Sequence, residues 1–147
     1  MCSENLMEVS KFLKHRRYAL LRRYLILQRY ATGERNFSGM VLTGASLSGI
    51  DLNRANLRGT KLYETKLIRT NLSEANLSQA DLSRADLHDA NLDRAILSGA
   101  RLQETNLRGA NLSGAILLEV NLDSADLKGA NLKGAIIADG KIDEWWD

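Results

Sequence analysis

The chain has 147 residues, 44% hydrophobic and 26% charged, with a formal net charge of +2, which is the balance of an ordinary globular domain. It has no proline, only 5% aromatic residues and a single cysteine, Cys2, so an intramolecular disulfide, a thiolate metal site and an aromatic core are excluded. The longest strongly apolar run, Tyr24 to Leu27, is far too short to span a bilayer, and the N-terminus carries Glu4 and Glu8 with no secretory pattern, so a reducing, cytoplasmic setting is expected.

Residues 1–33 read as an N-terminal α-helical cap. Leu6, Val9, Leu13, Leu20, Tyr24 and Leu27 fall on one stripe at helical spacing, with Ser3 as N-cap and Gly33 as the stop. Ile26 and Tyr30 lie off that stripe, so the second part is open to burying more than one face. The segment forms one helix or, with a break around His15–Arg17, two. Residues 1–32 hold seven Lys/Arg against two acids, a net +5, whereas residues 33–147 sum to −3. The basic positions are Lys11, Lys14, Arg16, Arg17, Arg22, Arg23 and Arg29. Such a run could touch phosphates or an anionic membrane. The preferred reading is a cap with a solvated basic face over a net-negative body, so neither nucleic acid nor membrane is expected as a partner.

From Leu42 to Leu132 every fifth residue is leucine, nineteen in succession, and Phe37, Ile137 and Ile142 extend the series. Two residues before each centre the side chain is usually Ala or Thr, and the residue just before it is usually Asn or Asp. A period of five suits neither a helix nor a flat strand. On a helix the leucines would ring the axis, and on a strand they would alternate faces. The chain must turn once per unit, as a solenoid whose short sides each point one leucine and one small residue inward. Charge fixes the number of sides. With twenty residues per rung, Arg54, Glu74 and Arg94 stack with alternating signs, as do Glu64, Arg84 and Glu104. Fifteen per rung would stack like on like, which is unfavourable between adjacent strands. Four units per rung, and about five rungs at ~4.8 Å spacing, give a rod about 25 Å long.

The units ANLSQ, ADLSR, ADLHD, ANLDR and ANLSG resemble the A(D/N)LXX motif of the pentapeptide-repeat proteins, over roughly residues 35–142. The resemblance implies an all-β solenoid, a right-handed quadrilateral parallel β-helix, here with an N-terminal α-helical cap. Leucine and the small residue point inward and the other three outward. The entry YATGERNFSG is also similar to that of members from photosynthetic bacteria. Expected domains are the cap (1–33), the β-helix (34–142) and a C-terminal tail (143–147). In the first rung the small slots hold Arg35, Met40 and Ile50, which predicts an end widened or plugged beneath the helix. In the tail, Trp145 and Trp146 either cover the last rung or form a self-association edge.

Catalytic machinery is not evident. His15 lies in the basic run and His88 on an outward slot, neither beside a recognisable nucleophile. The GxxxxG matches at Gly109/Gly114 and Gly129/Gly134 are products of the period, with Ala where a phosphate loop needs Lys. No catalytic residue, cofactor or metal ligand is assigned, and the protein is not expected to be an enzyme. Within NLDRAILSGA, residues 91–100, Ile96 stands before Leu97 where Asn or Asp is usual. Its vertical neighbours under a twenty-residue rung are Ile116 and Ile136, with Leu118 nearby, above a column that begins Asn36, Asn56, Asn76. This aliphatic ladder is either a packing preference or a contact surface. The expected function is a non-catalytic scaffold that binds an unidentified protein or a second copy as a homodimer. The alternative is a gyrase-directed regulator or DNA mimic acting by surface charge, as the resemblance implies for some members. A rod of net −3 with Arg on every side speaks against it.

Overall fold

The structure, a computed structural model, describes residues 18–137; Lys11, Lys14, Arg16, Arg17, Trp145 and Trp146 lie outside the described residues. Residues 18–31 form a helix, α1, and residues 36–137 coil into a four-sided rod. Every backbone bridge joins residue i to residue i+20 in parallel, from Asn36↔Asn56 at one end to Asn111↔Asn131 at the other. The turn count deduced from charge alternation is therefore the observed one. Arg54 meets Glu74 at 3.0 Å, Arg84 meets Glu104 at 2.9 Å and Glu64 at 3.8 Å, and Arg69 meets Asp89 at 3.8 Å. The third member of the first column departs from the expectation: Arg94 turns to its own neighbour Asp93 at 3.9 Å.

Extended strand is scarcer than an all-β description suggests. Each side has room for about one bridged residue before the next corner. Among the described residues the single longer pair is β1 (Ile116–Leu117) with β2 (Ile136–Ile137), in the register Ile116↔Ile136. At each corner the residue three on donates back to the central leucine, as in Ala45 N–H to Leu42 O at 3.0 Å. The residue before it has positive φ, which makes the corner a type II turn. That slot is filled by Gly or, at ten positions such as Arg54 and Glu74, by non-glycine residues at φ 54–59°. The core is a stack of leucines and alanines with almost no exposure. The buried threonines fit because their hydroxyls find carbonyls: Thr65 donates to Leu42 O at 2.8 Å and Thr105 to Leu82 O at 2.9 Å in the rung below, and Thr60 to Leu57 O at 2.6 Å in its own.

The ladder has one gap. Arg101 and Asn121 do not bridge, and Leu102 N–H lacks the acceptor its equivalents have. Two residues depart from the pattern beside it. Val120 puts a branched side chain where Ala80 and Ala100 stand in the rungs below, and Ser124 does not adopt the positive φ of its column. Glu104 N–H bonds instead to the Ser124 hydroxyl at 3.1 Å.

Helix α1 differs from its sequence reading. Of the stripe expected on it, Leu6, Val9 and Leu13 lie outside the described residues, and Leu20 and Tyr24 face away from the rod, 64% and 58% exposed. The buried residue is Ile26, with Leu27 and Tyr30 packed partly against the core. The helix ends in a Schellman motif, with Gly33 at φ 93° and Glu34 N–H donating to Arg29 O at 3.0 Å.

Candidate interaction surfaces

The first rung has no rung beneath it, so carbonyls that would accept ladder hydrogen bonds are left open there. Helix α1 lies across this opening and ties to all four sides. Arg22 donates to Thr43 O at 2.7 Å, Arg23 to Ser46 O at 2.6 Å, Tyr30 hydroxyl to Asn53 O at 3.2 Å, and Arg29 to Asn36 O at 3.4 Å. Arg29 also pairs with Glu34, which holds that carboxyl below its ordinary value, and sits 5.3 Å over the Phe37 ring. Arg35, in the widened slot, stacks 3.6 Å over Tyr30 and donates to its carbonyl at 2.9 Å. Tyr30 is pushed upward in pKa, first by burial and then by Asp51. The expectation of a solvated basic face is thus corrected for Arg22, Arg23 and Arg29. They are turned inward because an open carbonyl edge is the stronger acceptor available to them. Sequence reasoning missed this role, since the carbonyl edge exists only once the coil has closed.

On the rod, where Asn or Asp precedes the leucine it does two jobs. Its Oδ1 accepts the N–H of the residue two on, as in Ser73 N–H to Asn71 at 3.2 Å. In its column the amide also reaches the next rung: Asn71 donates to Asp51 at 3.0 Å, Asn111 to Asn91 at 3.2 Å, and Asn131 to Asn111 at 3.1 Å. Ile96, Ile116 and Ile136 forgo both. They bridge one above another, with Ile96 36% and Ile136 45% exposed, Ile116 half-buried, and Leu118 beside them 40% exposed. The structure therefore brings these four candidate residues together on one side of the upper rungs.

His88 contacts Asp89 at 3.3 Å on the surface. Among the described residues no group of His, Cys, Asp and Glu is placed to hold a metal ion, and no helix is long and apolar enough to cross a membrane.

The Asn–Leu–corner unit is what the comparisons recognise. Pentapeptide repeats match in eight copies, over residues 36–59, 60–99 and 100–137. The chain belongs to the pentapeptide-repeat family. That family's architecture is a right-handed quadrilateral β-helix, and its members are generally structural or regulatory. Among solved structures, the chain is similar to the pentapeptide repeat protein Rfr23 from the cyanobacterium Cyanothece 51142, with 36% identity, 73% of this chain and 64% of that one covered, and a TM-score of 0.50. It thus spans about two-thirds of that protein's length. It is also similar to alr5209 from Nostoc, a pentapeptide repeat protein, with 35% identity over 75% of this chain and 94% of that one, TM-score 0.47. QnrB1, a plasmid-mediated fluoroquinolone resistance protein, matches at 22% identity over 65% of this chain and 60% of that one, TM-score 0.34. No curated protein matches the chain.

Proposed function

We propose that the protein is a non-catalytic scaffold of the cytoplasm. It displays fixed side-chain ladders on a rigid rod and binds a protein partner through Ile96, Ile116, Ile136 and Leu118. The observation that supports this reading is the cost of the ladder to the rod itself. At three successive rungs isoleucine replaces a residue type that elsewhere caps a turn and bonds to its vertical neighbour. The fold does not need that substitution, and apolar groups gathered on one side of a polar rod are a natural contact surface. The DNA-mimic alternative finds no support in the charge columns, where acids pair with arginines instead of forming an acidic run.

The test is capture of partners from the native cell by the full chain, in parallel with an Ile96→Asn/Ile116→Asn/Ile136→Asn variant. A partner held by the parent in high salt and lost by the variant bears the reading out. Retention by the variant, or binding that disappears as salt rises, sinks it.

A further inference from the structure

The rod-facing side of α1 is accounted for by Ile26, Tyr30 and the inward arginines. The opposite side is not. Tyr18, Leu20, Leu21, Tyr24 and Leu25 are 43–64% exposed and occupy one continuous arc of the helix, interrupted by Gln28. These are five of the nine large hydrophobic side chains exposed among the described residues, set within eight residues of chain. A helix this apolar on its outer side is one that packs against something.

From this geometry we infer that the outer face of α1 is a homodimer interface, in which a second copy packs its own α1 against the same face about a two-fold axis. Four observations point to a copy of this chain as the occupant. First, the face is self-complementary: among residues 18–31 it carries leucine, tyrosine and Gln28 and no charge, so two identical faces meet there without repulsion. Second, the arginines that would repel another basic helix are bonded into the rod at Thr43, Ser46 and Asn36. Third, the exposed side chains offer roughly 500 Å² per copy, so full burial of the face gives about 1,000 Å² for a pair, the lower bound for a specific interface. Fourth, the rod lies on the other side of the helix, so helix-to-helix contact at 8–10 Å leaves the two rods pointing away from each other. The inference concerns a different surface from the isoleucine ladder and stands apart from it.

Light scattering on the full chain tests it. The parent should run at twice the chain mass, and a Leu21→Glu/Leu25→Glu variant at the single mass with its circular dichroism unchanged. The Ile96→Asn/Ile116→Asn/Ile136→Asn variant should stay dimeric. Should the double variant fail to fold, Leu21→Cys in a Cys2→Ser background gives the second measurement, since Leu21 lies at the centre of the face. Mild oxidation should convert most of it to a disulfide-linked pair, whereas Ser48→Cys in the same background should not cross-link. A monomeric parent overturns the inference, as does a Leu21→Glu/Leu25→Glu variant that remains a folded dimer. A monomeric parent that sediments with anionic vesicles reassigns the face to lipid.

Discussion

The column that starts at Asn36 is polar in its lower half and apolar in its upper half. In the lower half Asn56 donates to Asn36 at 3.1 Å and each Asn caps its own turn. In the upper half Ile96, Ile116 and Ile136 stack with no such bonds, and the one genuine strand pair of the rod forms there. The interior changes later than the surface: the leucines stay enclosed from Leu42 through Leu117, and only in the last described rung are Leu122 and Leu127 half-buried, beside the missing Arg101–Asn121 bridge. One backbone coil therefore tolerates two different outer chemistries, because its stability is set by the inward leucine and the corner.

The largest effects come from removing one interior leucine from the middle of the rod and one from its last described rung. Leu82→Ala should cost about 2–5 kcal/mol in urea unfolding, since its surroundings cannot collapse into the space left. Leu127→Ala, half-buried already, should cost under about 2 kcal/mol. Equal losses would mean the last rung is as tightly built as the middle.

Val120→Ala should mend the gap. With the slot returned to its usual size, Arg101 and Asn121 should bridge, for a gain of about 1 kcal/mol. Amide exchange at Leu102 and Asn121 should slow markedly by NMR, and unchanged exchange would place the cause at Ser124 instead.

Exchanging the outer chemistries should matter less. Asn replacing all three isoleucines regains turn caps and gives up β-branched stacking, so unfolding should shift by no more than about 1 kcal/mol. A larger loss would make the ladder a structural element first. The smallest effect belongs to Glu34, at the foot of the helix. Its hydrogen bond with Arg29 lowers its pKa below the ordinary 4.5, so its contribution is complete above that value and fades as pH falls through the lowered one. Helical circular dichroism should decline over that acidic window in the parent, and Glu34→Gln should abolish the pH dependence.

The rod was legible because its core is nearly one-dimensional. A period of five names the inward residues, and Arg54, Glu74, Glu64 and Arg84 reveal the number of sides through their signs. The ladder gap also had a signal, Val120 in an alanine slot and Ser124 in a corner slot, but its weight depends on how far one side can shift. The helix was less legible. Its strongest stripe, through Leu20 and Tyr24, points outward, while Ile26 is the anchor. Helical periodicity finds an apolar face without saying which neighbour it meets, and arginines paired with an open carbonyl edge leave no pattern in sequence. The same limit applies to the isoleucine ladder, whose column the sequence assigned and whose partner no spacing can name.

The twenty-residue register carries a consequence for how such a rod could change over time. Removing or adding a single five-residue unit places leucine on leucine and corner on corner, so the interior survives. Every side chain beyond the edit, however, rotates by a quarter-turn around the axis relative to α1. The isoleucine column would then face the neighbouring side while the cap and its outer face stayed where they are. The angle between the two apolar surfaces is thus a variable with four settings, selected by the number of units and independent of the residues that form either surface.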